Sequence, residues 1–167
     1  LADPKDKIEL FNLITHARDL SRHNQDSDEA ITTLLDVTRR DPKVIDAWFM
    51  LGNEYYRKRR FELAIESYKQ ALALKSDYDL VVINMANAYR QLGKDEEALV
   101  GYRRFMELDP RNAQIRYEAA QILIDRGDFA QARAELREAL KLQPSMAAAR
   151  NALGIVALKT GDVPGAE

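Results

Sequence analysis

The sequence predicts an all-α solenoid of antiparallel helix pairs, about four and a half units long. Three observations carry that reading. A pattern returns every 34 residues without losing phase, in units 11–44, 45–78, 79–112, 113–146 and an incomplete 147–167. Position 20 of every unit is alanine: Ala30, Ala64, Ala98, Ala132 and Ala166. Apolar residues inside each unit recur at helical spacing, and the alternation expected of strands is absent. A fixed period of this length marks one supersecondary unit stacked on itself, which makes an extended surface rather than a closed catalytic pocket.

Residues 1–10 lead into the first helix. Asp3 is a plausible N-cap, Pro4 needs no donor in a first turn, and Asp6 suits the positive end of the helix. The first unit has Arg18 at position 8, where the others have Gly52, Ala86, Ala120 and Gly154, and Gln25 at its turn. It is therefore the unit expected to be irregular.

In the second unit, Ile45 to Lys58 places Trp48, Leu51, Gly52 and Tyr55 on one helical face. Phe61 to Leu74 does the same with Phe61, Ala64, Ile65, Tyr68, Ala71 and Leu72. Arg59 occupies the turn between them, where later units have Gly93, Gly127 and Gly161. Glycine there points to a positive φ, so the Arg59 turn is expected to be less comfortable. Small residues at positions 8 and 20 let paired helices approach. Trp48, Leu51, Tyr55 and Tyr68 fill the space around them, as do Val82, Met85, Tyr89 and Tyr102 in the third unit.

Asp41-Pro42 and Asp109-Pro110 separate units, because proline has no N–H and disfavours helix in the residue before it. Pro144 shares that position, and Ser76 stands there in the second unit. The last unit stops at Glu167, with Pro164 tolerable in the first turn of a helix that is not completed, and the chain does not begin with methionine. The expectation is a fragment of a longer protein. Leu136, Leu140, Leu153 and Val156 are expected to be partly exposed, favouring self-association through the C-terminal end.

Composition removes several classes of function. A net charge of −2, with 31% charged residues, leaves no basic footprint for nucleic acid. No apolar run approaches the length of a membrane span, so no membrane insertion is expected. Zero cysteine removes disulfides and thiolate chemistry and fits any compartment. Dinucleotide, phosphate-loop, serine-hydrolase and zinc-protease motifs are all missing, so no catalytic residue, cofactor or metal is assigned. His16, Asp19 and His23 share a stripe of the first helix. The histidines lie two turns apart, about 10.5 Å along the axis, which suits a single ion poorly. Arg57-Lys58-Arg59-Arg60 falls on a turn and reads as a solvated loop.

Trp48-x2-Leu51-Gly52-x2-Tyr55, Ala64-x3-Tyr68 and the in-phase Pro110 and Pro144 resemble the tetratricopeptide repeat family over residues 11–167. Arg116 and Arg150 depart from it at the aromatic position 4. The resemblance implies a right-handed superhelix whose concave face holds an extended peptide or partner helix. Its groove positions map onto Phe49, Asn53, Tyr56, Ile83, Asn84, Asn87, Arg90, Tyr117 and Gln121.

Asn53, Asn84 and Asn87 are expected to cluster, each amide carrying donors and an acceptor for a peptide backbone. The implied function is a non-catalytic scaffold for a protein or peptide partner. An assembly module, or an accessory domain of a larger enzyme, stays open beside it. The opening DPKDKI…LF followed by such repeats also resembles tails of bacterial sulfatase-like hydrolases, which would place catalysis in a domain outside this sequence. Members that clamp acidic chaperone tails use three cations where this chain has Phe49, Gln114 and Glu118. Asn53 and Asn84 match that subtype, but the cations do not, so that specificity is not expected.

Overall fold

The helical spacing translates directly into elements. The computed structural model describes residues 4–23 and 27–162. Its helices are α1 (Pro4–His23), α2 (Ser27–Arg40), α3 (Ile45–Arg57), α4 (Phe61–Leu74), α5 (Asp79–Gln91), α6 (Asp95–Leu108), α7 (Ala113–Asp125), α8 (Phe129–Leu142) and α9 (Ala147–Thr160). No strand occurs among the described residues. Asp3, Gln25, Pro164 and Ala166 lie outside them.

The chain divides into two compact units, residues 1–94 and 95–167. In the first, α1 packs on α2 and α3 on α4, while α2 meets α3 and α4 meets α5. In the second, α7 pairs with α8, and α6 and α9 pack on α7 and α8 respectively. The first core runs through Ala17, Leu34, Leu51, Ala64, Tyr68 and Val81, all but excluded from solvent.

One turn is used four times. Residues Arg59, Gly93, Gly127 and Gly161 take φ of 59°, 68°, 82° and 71°. The N–H groups of Arg60, Lys94, Asp128 and Asp162 then donate to Tyr55, Tyr89, Leu123 and Ala157 at 2.8–3.0 Å. The N–H of each left-handed residue reaches a second carbonyl, as from Arg59 to Tyr56 at 2.9 Å. These paired bonds form a Schellman motif, which satisfies carbonyls that a helix end would otherwise leave bare. Arg59 adopts the same conformation despite its Cβ, which costs a non-glycine residue about 1–2 kcal/mol. Its guanidinium lies 5.8 Å from the centre of the Phe61 ring.

Close approach is localised at Gly52. A Cβ there would sit 2.4 Å from Tyr68 Cε1 and 2.6 Å from Cδ1, so the small position 8 seats the ring of position 24. Ala64 and Ala132, at position 20, are fully buried. In α1 the fully buried small residue is Ala17, one position before the half-buried Arg18, which is how the irregular first unit accommodates an arginine.

In three units position 4 makes a hydrogen bond, whereas Ile14 and Val82 there have no side-chain donor. Trp48 Nε1 donates to the Pro42 carbonyl at 2.9 Å. Arg150 Nη2 donates to the Pro144 carbonyl, the equivalent acceptor before α9. Arg116 is held differently, by Glu135 at 2.9 Å. Proline is not required to end a helix: α4 stops at Leu74, with Lys75 extended at φ −142°, although Ser76 holds the proline position.

The expected C-terminal patch is corrected at Leu136 and Val156 and holds at Leu140 and Leu153. Leu136 and Val156 are 0% exposed because α8 and α9 pack on each other, and Leu140 and Leu153 are half-buried. The open apolar residues on α9 are Ile155 and Leu158, at 48% and 71%.

Candidate ligand groove

Asn53 on α3 and Asn84 on α5 occupy neighbouring helices of the first unit, and their side chains meet. Asn84 Nδ2 donates to Asn53 Oδ1 at 2.9 Å. Tyr68 of α4 donates its hydroxyl to the same oxygen at 2.8 Å. Burial comes first among the causes that push the Tyr68 phenol up, so it keeps its proton at neutral pH and remains a donor. Two donors on one oxygen fix the orientation of the Asn53 amide. Asn53 then has its Nδ2 donor to offer, and Asn84 its Oδ1 acceptor.

Asn53, Asn84, Asn87, Tyr56, Arg57 and Tyr68 line a pocket of about 230 Å³. The three asparagines are thus brought together. Tyr56 stacks edge-on against Phe61, with centroids 5.3 Å apart. Phe49 is half-buried, and its ring packs 5.2 Å from that of Tyr78. Ile83 is only 9% exposed and offers little surface, while Arg90 is half-buried on α5. Tyr117 and Gln121 are half-buried on α7 of the second unit. On the same helix, Gln114 Nε2 donates to Glu118 at 2.6 Å.

A charged hub stands beside the pocket. Glu54 is 2% exposed on α3. It accepts 2.6 Å bonds from the hydroxyls of Ser21 and Ser27 and a charged bond from Arg57. Arg57 also donates to the Ser21 carbonyl at 3.0 Å. Burial acts to raise the Glu54 pKa, but the bonds from Arg57, Ser21 and Ser27 outweigh it and hold the carboxyl below the usual value. The hub fastens α1 and the start of α2 to α3 and fixes where Arg57 lies.

Sequence reasoning missed this hub, and also the hydroxyl role of Tyr68. Position 24 reads as core, and a glutamate between apolar positions reads as exposed. The one available signal was that Ser21 and Ser27 flank the first inter-helix connection while Arg57 sits at the end of α3, one repeat later. Among the described residues no cluster of potential metal ligands occurs, and no helix is long and apolar enough to cross a membrane.

Three tetratricopeptide repeat models match, over residues 45–78, 86–124 and 117–167. Photosystem I assembly protein Ycf3 from Acaryochloris marina is 32% identical over 126 residues, covering 67% of this chain and 73% of that protein. The chain belongs to the tetratricopeptide repeat family.

A second relative is Protein O-mannosyl-transferase TMTC1 of Mus musculus, 27% identical over 116 residues. That match covers 69% of this chain but 12% of the relative, so the chain spans about an eighth of its length. Among solved structures, MamA superposes with a TM-score of 0.85 at 20% identity, covering 92% of this chain and 84% of that one. YrrB gives 0.81 at 19% identity, with 91% and 78% covered. These two likenesses concern the tetratricopeptide fold.

Proposed function

We propose that this chain is a non-catalytic interaction scaffold that holds an extended peptide or partner segment against Asn53, Asn84 and Asn87. The observation that carries the reading is the hydrogen-bonded amide pair on α3 and α5, which lines one pocket together with Tyr56. A part-buried hydrogen-bond network orders Asn53 and Asn84 before any ligand arrives, which lowers the entropy cost of binding. The reading has support from YrrB, described as a TPR protein with an unusual peptide-binding site, and from Ycf3, named an assembly protein.

The test uses a partner captured with the intact protein and confirmed by direct titration. Asn84→Ala with Asn87→Ala should weaken binding by about 1–3 kcal/mol while leaving the fold intact. Unchanged affinity would remove the groove assignment.

A second reading is that the repeats are an assembly module or an accessory domain of a larger enzyme. The match to a small fraction of TMTC1 favours it. A concentration-dependent oligomer of the intact protein, insensitive to the asparagine substitutions, would make it the better account.

A further inference from the structure

The groove continues past Asn53 toward α1. Arg18, Ser21, Arg22, Met50, Asn53, Glu54 and Arg57 line a second pocket, of about 300 Å³, which shares Asn53 and Arg57 with the first. Arg18 and Arg22 are one helical turn apart on α1 and so project from one face. Arg57 joins them from α3, held in place by Glu54 and the Ser21 carbonyl.

Three guanidiniums therefore face one carboxylate, and that carboxylate is buried and already bonded by Arg57 and two serines. Among the described residues, no ion pair joins Arg18 or Arg22 to a carboxylate. The whole chain carries a net charge of −2, so this concentration of positive charge runs against its overall balance.

We propose that the groove selects an acidic peptide segment. Its backbone lies along the Asn53–Asn84 amides, and its Asp or Glu side chains reach Arg18, Arg22 and Arg57. This rests on the scaffold reading above and adds the ligand's charge and its placement toward α1. Guanidinium forks take carboxylates in bidentate, charge-assisted bonds, which discriminate strongly against the neutral amide. The arginines occupy positions 8, 12 and 13 of their units, not the cation positions of the chaperone-tail clamp.

The test is a selection of short random peptides displayed on phage against the full chain, followed by titration of the strongest binder as a synthetic peptide. Selected peptides should be enriched in Asp and Glu. Replacing those residues by Asn and Gln in the peptide, which leaves the protein untouched, should cost about tenfold in affinity. Arg18→Gln with Arg22→Gln should cost a similar factor, and binding should weaken as salt rises.

No acidic enrichment, or equal binding of the amide peptide, overturns the acidic preference. If Asn84→Ala with Asn87→Ala still weakens that binding, the groove reading survives alone. Peptides that bind both double variants like the parent, or no selected peptide at all, overturn both readings. Single-stranded polyuridylate that competes as well as the acidic peptide would show a general anion site and also overturn the proposal.

Discussion

Gly52 and Gly154 hold the same place in their repeats, yet alanine should act on them in opposite directions. Each lies inside a helix, so each alanine gains about 0.8–1.0 kcal/mol of helix propensity. At Gly154 nothing among the described residues lies within 4 Å of the new methyl, so the gain stands. At Gly52 the methyl meets Tyr68 ring carbons at 2.4 and 2.6 Å. Comfortable carbon contacts are about 3.5–4.0 Å, so ring or helix must move by roughly 1 Å or more.

Tyr68 cannot swing away cheaply, being 1% exposed and bonded to Asn53. Overpacking of this kind costs about 1–3 kcal/mol, and loss of the hydroxyl bond about 0.5–1.5 kcal/mol more. After the propensity gain, Gly52→Ala should destabilise by about 1–3 kcal/mol, against about 1 kcal/mol of stabilisation for Gly154→Ala. Thermal melts followed by far-ultraviolet circular dichroism would separate them, at about 2–4 °C per kcal/mol for a chain of this size. In a Tyr68→Leu background the Gly52→Ala penalty should largely vanish. Equal shifts for the two alanines, or a Gly52→Ala penalty that persists without the ring, would refute the packing argument.

Two further outcomes follow from the turn and the hub. At residue 59 stability should fall in the order glycine, arginine, isoleucine, with Arg59→Ile about 1–2 kcal/mol below Arg59→Gly, because a branched side chain fits the left-handed region worst. Urea unfolding that ranks isoleucine with glycine would show the turn is not under strain. Glu54 has a lowered pKa, so its charge stabilises the fold above the unfolded value near 4.5, and that contribution is lost as pH falls through the folded value. Glu54→Gln should therefore cost about 1–3 kcal/mol at neutral pH and progressively less below about pH 4.5. Melts of the two proteins that stay equally far apart from pH 7 to pH 3 would exclude the charge as the cause.

The fold was legible because its signals repeat. Glycine at three turns predicted a left-handed residue, and the same register carried that conformation to Arg59, where residue type alone would not. The buried alanines at position 20 followed from the same phase. The asparagine cluster was legible only in outline. Mapping by position found the three asparagines, but it could not say that Asn53 Oδ1 is occupied twice, because a tyrosine at a packing position does not announce its hydroxyl. Arg22 was passed over, and Arg18 was read only as an irregularity, for a related reason. They belong to the least regular unit, whose turn departs from the pattern that made the other units readable.

The position 4 hydrogen bonds bear on how such repeats diverge. Trp48 and Arg150 differ in charge, shape and hydropathy, yet each delivers an N–H to the proline carbonyl that precedes its helix. What these two units share is then a reach and a donor rather than a residue, whereas Val82 and Arg116 at the same position do not make that bond. A unit can drift from aromatic to cationic, changing the charge it presents outward, while its joint to the preceding unit stays made. Repeats linked in this way can be copied and individually recoloured without renegotiating how they stack.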